Sequence, residues 1–133
     1  MNQRAIILIV DDSAANLTLC KGLLNDEYDV RLAKSGKMAL AALERLRPDL
    51  VLLDIEMPDV SGFEVMDAMS EKPEIKDIPV IFVTSHATEK LVVKAMEHGA
   101  VGYVVKPFQK DVLCTKINDA LSATAHRSFT PTH

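Results

Sequence analysis

Short apolar runs alternate with helix-like segments through the whole of this chain, and that alternation restricts the fold more than any other feature. The runs have the length of strands, and the segments between them repeat apolar residues at helical spacing. We predict strands at 5–10, 28–34, 49–53, 78–84 and 101–105, and helices at 13–25, 36–46, 61–71, 88–98 and 109–122. Ser13 is the expected N-cap of the first helix, and Gly99 the expected stop after the fourth. Five such units in sequence predict an α/β fold, with a parallel sheet covered by helices on both faces.

Three of the predicted strands end in charged residues. These are Asp11 and Asp12 after the first strand, Asp54 after the third, and Lys106 before Pro107 after the fifth. Ligands of open parallel sheets bind at the carboxyl ends of the strands, so we expect three carboxylates and one ammonium at a single edge. Carboxylates held close together need a cation, and hard oxygen ligands suit Mg²⁺. The pattern predicts a magnesium site with Asp54 as the acceptor of a phosphoryl group.

Each candidate residue also has a purely structural interpretation. Asp11 and Asp12 would be explained in part as caps of the first helix, and Lys106 as a member of a structural salt bridge. Thr84 ends the fourth strand, where a hydroxyl could donate to a phosphoryl oxygen, but threonine is common in strands. Tyr103 lies among the valines of the fifth strand, where packing alone would explain it.

Composition limits the function classes. A chain of 133 residues has the length of one domain, and a net charge of −4 without a basic stripe argues against direct nucleic-acid binding. No apolar run approaches the length of a transmembrane helix, so we expect no membrane association. Cys20 and Cys114 are expected to be reduced thiols, in keeping with a cytoplasmic protein.

Taken together, the strand-end residues with Thr84 and Tyr103 resemble the receiver domain of two-component response regulators. The segments VDDSAANL, PDLVLLDIEMPDVSGFEV, IPVIFVTS and HGAVGYVVKPF share that resemblance, which covers about residues 5–122. It implies a flavodoxin-like, doubly wound sheet of five parallel strands in the order 2-1-3-4-5, with five helices. Residues 1–122 would form the receiver domain, and 123–133 a loose C-terminal tail or the start of a linker.

The resemblance also implies the metal site. Asp54 would be the phosphoacceptor and a metal ligand, Asp12 would bind Mg²⁺ directly, and Asp11 would assist through water. The backbone carbonyl of Glu56 completes the protein's share of the metal shell. Mn²⁺ is expected to be able to replace Mg²⁺.

Further roles follow from the same resemblance. Lys106 would contact a phosphoryl oxygen, Thr84 would move to contact another, and Tyr103 would change rotamer with Thr84. The peptide bond between Lys106 and Pro107 is expected to be cis. Glu56 and His86, two residues after Asp54 and Thr84 respectively, would tune the lifetime of the phosphoryl group.

As a member of that family, the chain would take a phosphoryl group from a sensor histidine kinase or a phosphotransfer protein. It would signal to an output domain or partner through the face built by residues 84–106, and it would turn over no separate substrate. A homodimer is kept as an alternative to a monomer. Two other functions stay open: an aspartyl-phosphate phosphatase similar to the haloacid dehalogenase family, and a receiver-like fold that only mediates protein contacts.

Overall fold

One parallel sheet lies between two layers of helices in the computed structural model, which describes residues 4–58 and 60–129. The strands are β1 (Ile6–Val10), β2 (Asp29–Ala33), β3 (Leu50–Asp54), β4 (Val80–Thr84) and β5 (Gly102–Val105). The helices are α1 (Ala14–Leu24), α2 (Gly36–Leu43), α3 (Gly62–Ser70), α4 (Glu89–Glu97) and α5 (Lys110–Phe129). The strands pair in parallel in the order β2-β1-β3-β4-β5, which confirms the predicted fold class and topology.

Both faces of the sheet are buried, and β1 shows how its side chains divide between them. Leu8 and Val10 pack in the core that α2, α3 and α4 cover. Ile7 and Ile9 pack in the core that α1 and α5 cover. A strand buried in this way has no polar face, and this is why the central strands are continuous apolar runs in the sequence.

Hydroxyl side chains begin four of the helices. The oxygens of Ser13, Ser35, Ser61 and Thr88 each accept the backbone N–H of the third residue after them. Such caps satisfy N–H groups that have no partner inside the helix. Just after α4, Gly99 has a φ of 101°, in the left-handed region that glycine adopts without strain. The predicted cap at Ser13 and the predicted stop at Gly99 are confirmed.

Two helix ends differ from the prediction by more than one residue. Helix α2 ends at Leu43 rather than at 46, and α5 continues to Phe129 rather than ending at 122, so residues 123–129 are helical instead of loose. The low apolar content of this segment predicts little packing against the core. It does not prevent the segment from forming a helix. After Lys110 no glycine or proline occurs before Pro131. Residues 130–133 of the predicted tail lie outside the described residues, and the division into a domain and a C-terminal segment stays a prediction.

No helix within the described residues, α5 included, has the length and apolar character that crossing a bilayer requires.

A glycine at the start of α3 allows the loop after β3 to fold back onto the end of that strand. The N–H of Gly62 donates to the carbonyl oxygen of Ile55 over 3.0 Å. A Cβ atom at position 62 would lie 2.6 Å from the carbonyl oxygen of Asp54 and 3.0 Å from the Cα of Ile55. Both are backbone atoms and cannot rotate away. Gly62 therefore holds this loop close to Asp54.

We expect Gly62→Ala to lower the free energy of unfolding by about 1–3 kcal/mol, because the added methyl group overlaps backbone atoms. Gly22→Ala is the matched control, since a Cβ there meets nothing within 4 Å. In the interior of α1 that change should raise the free energy of unfolding by about 0.5–1 kcal/mol. Urea denaturation measures both, and equal effects at the two positions would contradict the close approach.

Candidate functional site

Three carboxylates meet at the carboxyl ends of β1 and β3. Asp11 and Asp12 directly follow β1, Asp54 is the last residue of β3, and the two strands are neighbours in the sheet. One oxygen from each carboxylate lies within 4.8 Å of those of the other two. Asp11 and Asp54 are 2% and 3% exposed, whereas Asp12 is open to solvent. The strand topology thus brings the three predicted acids together.

Three donors hold the carboxylate of Asp11. Its Oδ1 accepts the N–H of Ser13 over 2.9 Å, and its Oδ2 lies 3.1 Å from Nζ of Lys106 and 3.4 Å from Nδ2 of Asn16. The carboxylate of Asp12, in contrast, makes no hydrogen bond or ion pair with any described residue. Its oxygens are therefore free to bind an external ligand.

Asn16 was not among the site residues predicted from the sequence. Its place in the first turn of α1, directly after a strand that ends in two aspartates, was the available signal. Helical geometry carries that first turn back over the strand end, so a short amide there can reach Asp11.

Lys106 is shared between two of the carboxylates. Its Nζ lies 3.1 Å from Oδ2 of Asp11 and 3.4 Å from Oδ2 of Asp54. Burial by itself would lower the pKa of this ammonium, but its hydrogen bonds with Asp11 and the attraction of both carboxylates outweigh burial and raise the pKa. The group therefore stays charged, and one positive charge faces three carboxylates. The peptide bond between Lys106 and Pro107 is cis.

The environment of Asp54 disfavours its charged form. Burial and the negative charge of Asp11 raise the pKa of the Asp54 carboxyl to about 6, against the opposing effects of Lys106 and of a backbone hydrogen bond. That bond comes from the N–H of Glu56, which donates to Oδ1 of Asp54 over 3.1 Å. Above this pKa the side chain is an ionised carboxylate in a site with too little positive charge. Such a group gains from any cation that binds beside it.

The donor set fits a hard divalent cation. Carboxylate oxygens, with one of the three acids exposed, match the preference of Mg²⁺ for a few carboxylates and retained waters. Within residues 4–58 and 60–129 this is the only group of three or more metal-binding side chains. Glu56 contributes its N–H to Asp54, and its side chain is exposed. Metal binding by the carbonyl of Glu56 stays a prediction.

Thr84 and Tyr103 lie outside the acidic cluster. The hydroxyl of Thr84 is buried and donates to the backbone oxygen of His86 over 3.1 Å, and it accepts the N–H of His86 over 3.2 Å. The side chain of His86 is exposed. Tyr103 is partly buried opposite Phe82 of β4, with Nζ of Lys116 at 5.6 Å from the centre of its ring. No hydrogen bond joins Tyr103 to Thr84 in the described part of the chain, and their switching roles stay predictions.

We expect Asp54→Asn to stabilise the metal-free protein above the pKa of Asp54. A folded-state pKa raised from 3.8 to about 6 means that folding binds protons, so the wild-type protein loses stability as pH rises through that interval. Asparagine cannot ionise and avoids this loss. The difference in free energy of unfolding between the variant and the wild-type protein should therefore be roughly 1–3 kcal/mol larger, in favour of the variant, at about pH 8 than at about pH 4.

Asp77→Asn is the control, because Asp77 is exposed and outside the cluster. Urea denaturation in the presence of a chelator measures all three proteins. A gain in Asp54→Asn that is the same at both pH values would contradict the electrostatic explanation.

Comparisons with known proteins agree with this geometry. The family model described as the response regulator receiver domain matches residues 7–118. Among curated relatives, the "Probable cyclic di-GMP phosphodiesterase" of Vibrio cholerae is 41% identical to this chain over 115 residues. Regulatory protein LuxO of the same species is 34% identical over 114 residues, and response regulator PleD of Caulobacter vibrioides is 35% identical over 114 residues. The matches cover 85–86% of this chain but 25–26% of each relative. The chain thus spans about a quarter of the length of these relatives.

Solved structures extend the similarity to the whole fold. Chemotaxis protein CheY4 of Vibrio cholerae superposes with a TM-score of 0.85 at 29% identity, covering 89% of this chain and 99% of that one. A CheY-like receiver domain protein of Methanospirillum hungatei superposes with a TM-score of 0.85 at 30% identity, covering 94% and 99%. Because the family model spans most of the chain and the sheet order and acidic cluster agree with it, the chain belongs to the receiver domain family of response regulators.

Proposed function

We propose that this chain is a phosphorylation switch in which Asp54 receives a phosphoryl group from a phosphohistidine of a sensor histidine kinase or a phosphotransfer protein. The observation that carries this proposal is the buried Asp54 carboxylate at the strand ends, with two further acids and the Lys106 ammonium around it. A carboxylate oxygen forms the new bond to phosphorus as the phosphorus–nitrogen bond breaks. The electron pair of that bond stays on the imidazole, which is left neutral after proton exchange with water. The product is an acyl phosphate on Asp54.

Positioning and electrostatics are the protein's share of this reaction, and no general base is needed because the attacking carboxylate is already ionised. Asp11, Asp12, Asp54 and the carbonyl of Glu56 would hold Mg²⁺, or Mn²⁺ in its place. When bound, the metal supplies positive charge that offsets the charge of the phosphoryl oxygens. Lys106, which lies 3.1 and 3.4 Å from its carboxylate partners, would exchange one of them for a phosphoryl oxygen, so the ammonium would keep a negatively charged partner throughout.

The signal would pass through Thr84. Its hydroxyl is engaged only with the backbone of His86 among the described residues, and this contact can be exchanged for one with a phosphoryl oxygen. Tyr103 would change rotamer with it, and the face of residues 84–106 would change shape. An output domain or a partner protein would recognise that change.

Several further properties belong to the same proposal. The protein would catalyse its own phosphorylation and dephosphorylation and act on no separate substrate, in the cytoplasm and without contacting nucleic acid. A homodimer would use α4, β5 and α5, where Val101, Val105 and Val112 are exposed. The phosphatase alternative is not favoured: Glu56 has the offset of the second acid of such enzymes, but they place the nucleophile on their first core strand and Asp54 ends the third.

Incubation with Mg²⁺ and acetyl phosphate should give a single phosphoryl adduct on the intact protein, detected by mass spectrometry. The adduct should disappear in Asp54→Asn and when the metal is chelated. Asp77→Asn should be phosphorylated like the wild-type protein, because Asp77 lies outside the site. Repeated turnover of phosphomonoesters would favour the phosphatase instead, and the absence of any adduct would favour a fold that only binds proteins.

The lifetime of the acyl phosphate should depend on Glu56 and His86. Both side chains are exposed and close to the reacting groups along the chain, Glu56 two residues after Asp54 and His86 two after Thr84. We expect Glu56→Ala and His86→Ala each to change the rate of acyl-phosphate decay, either upward or downward. Unchanged half-lives in both variants would show that neither side chain orients or repels the attacking water.

A further inference from the structure

Helix α4 is held to the rest of the molecule by little buried surface. Of its nine residues only Ala95 is buried, whereas α3, of the same length, buries four. Packing of an apolar face supplies most of the stability of a docked helix, so α4 depends more than α3 on contacts of partly exposed side chains. The helix lies between Thr84 and β5 in the chain. Its position therefore helps to define the face of residues 84–106.

Contacts of this kind occur toward the C-terminal end of α4, in a group of four side chains that we call the α3–α4 clasp: Phe63 and Asp67 of α3, Lys94 of α4, and His98 at its C-cap. The Nδ1 of His98 lies 2.8 Å from Oδ1 of Asp67. The rings of His98 and Phe63 have their centres 4.8 Å apart, and Nζ of Lys94 lies 4.5 Å from the centre of the Phe63 ring. A hydrogen bond, a ring contact and a cation–π contact thus join the two helices.

The clasp is anchored to the sheet on the α3 side. The ring of Phe63 meets Phe82 edge-on, with ring centres 5.1 Å apart, and Phe82 is a fully buried residue of β4. Phe82 lies two residues before Thr84. At the other end of α4, residues 85–90 are all exposed. The C-terminal end of α4 is therefore tied to the core through the clasp, and the exposed segment 85–90 separates Thr84 from Leu91, the first side chain of α4 that packs on the core.

We propose that the α3–α4 clasp holds α4 in the conformation of the unphosphorylated protein, and that phosphorylation of Asp54 displaces α4 against it; this inference rests on the proposed function. In the present structure the Thr84 hydroxyl bonds the backbone of His86 and does not reach Asp54, and the clasp is formed. A contact made in only one of two conformations favours that conformation by its own free energy. The displaced conformation is the one that phosphorylation favours, so weakening the clasp raises the population of the reacting conformation and, with it, the rate of phosphorylation.

Two variants weaken the clasp without touching the acidic cluster. Asp67→Asn keeps the shape of the side chain and removes its charge, and His98→Asn removes the imidazole at a C-cap position that asparagine tolerates. Asp77→Asn is the matched control, an exposed aspartate outside both the clasp and the acidic cluster. The intact chain is incubated with Mg²⁺ and limiting acetyl phosphate, and the initial rate of adduct formation is measured by mass spectrometry.

We expect each clasp variant to be phosphorylated about two- to fivefold faster than the wild-type protein, as partly exposed polar contacts of this kind allow. The double variant should gain little beyond His98→Asn alone, because both substitutions act on the contact between Asp67 and His98 and only His98→Asn also removes the ring contact with Phe63. Amide hydrogen exchange of the unphosphorylated variants should accelerate in 89–97 and stay unchanged in α1. Partial unfolding cannot imitate a gain in rate, so the result does not depend on equal stability of the variants.

Three other results would contradict the role of the clasp. If the wild-type protein is phosphorylated and both clasp variants match it, or are slower, the clasp does not oppose the switch and the inference is overturned while the proposed function stands. A gain in Asp77→Asn equal to that in Asp67→Asn would also overturn it, since the effect would then come from net charge. If the wild-type protein forms no adduct, the proposed function fails and this inference fails with it.

Discussion

Mutual repulsion among three carboxylates is the constraint on which the rest of this structure depends. Parallel pairing of β1 with β3 places Asp11, Asp12 and Asp54 at one edge, and Lys106 is the one cation in ion pairs with them among the described residues. Burial strengthens the repulsion because it removes the screening that water would provide. The cluster is thus incomplete in charge, and it is suited to bind a divalent cation and, with it, a phosphoryl group.

Two kinds of contact divide the molecule into a rigid part and an adjustable part. The strands and α1, α3 and α5 are held by buried apolar side chains, which have one well-packed arrangement. Lys106 and Thr84 are held by polar contacts, and α4 is held by Ala95, Leu91 and the partly exposed side chains of the clasp. A new charge on Asp54 would therefore move the polar contacts first and leave the sheet in place. That separation is what a switch requires, because a bistable surface needs a fixed frame.

The strands and the acidic cluster could be predicted because they follow from periodicity and from one topological rule. Apolar runs of four or five residues ending in Asp11 and Asp54 identify buried parallel strands, and the carboxyl ends of neighbouring strands converge. Helix ends follow less directly from the sequence. Low apolar content predicts a tail at 123–133, yet α5 continues to Phe129, because a helix can continue wherever no glycine or proline stops it. Asn16 was missed because its contact with Asp11 depends on how α1 packs over the strand end.

By itself, the sequence determined the five βα units, the strand ends at which charged groups would meet, and the Gly99 stop, since each depends on local composition or on the chirality of parallel connections. Tertiary structure alone decided the partners: Lys106 shared between two carboxylates, the Thr84 hydroxyl bonded to His86, and His98 in contact with Asp67. The physical reason is distance along the chain. Lys106 lies 52 residues from Asp54, and His98 lies 31 from Asp67, so only the packing of whole elements sets the ångström-scale geometry on which such contacts depend.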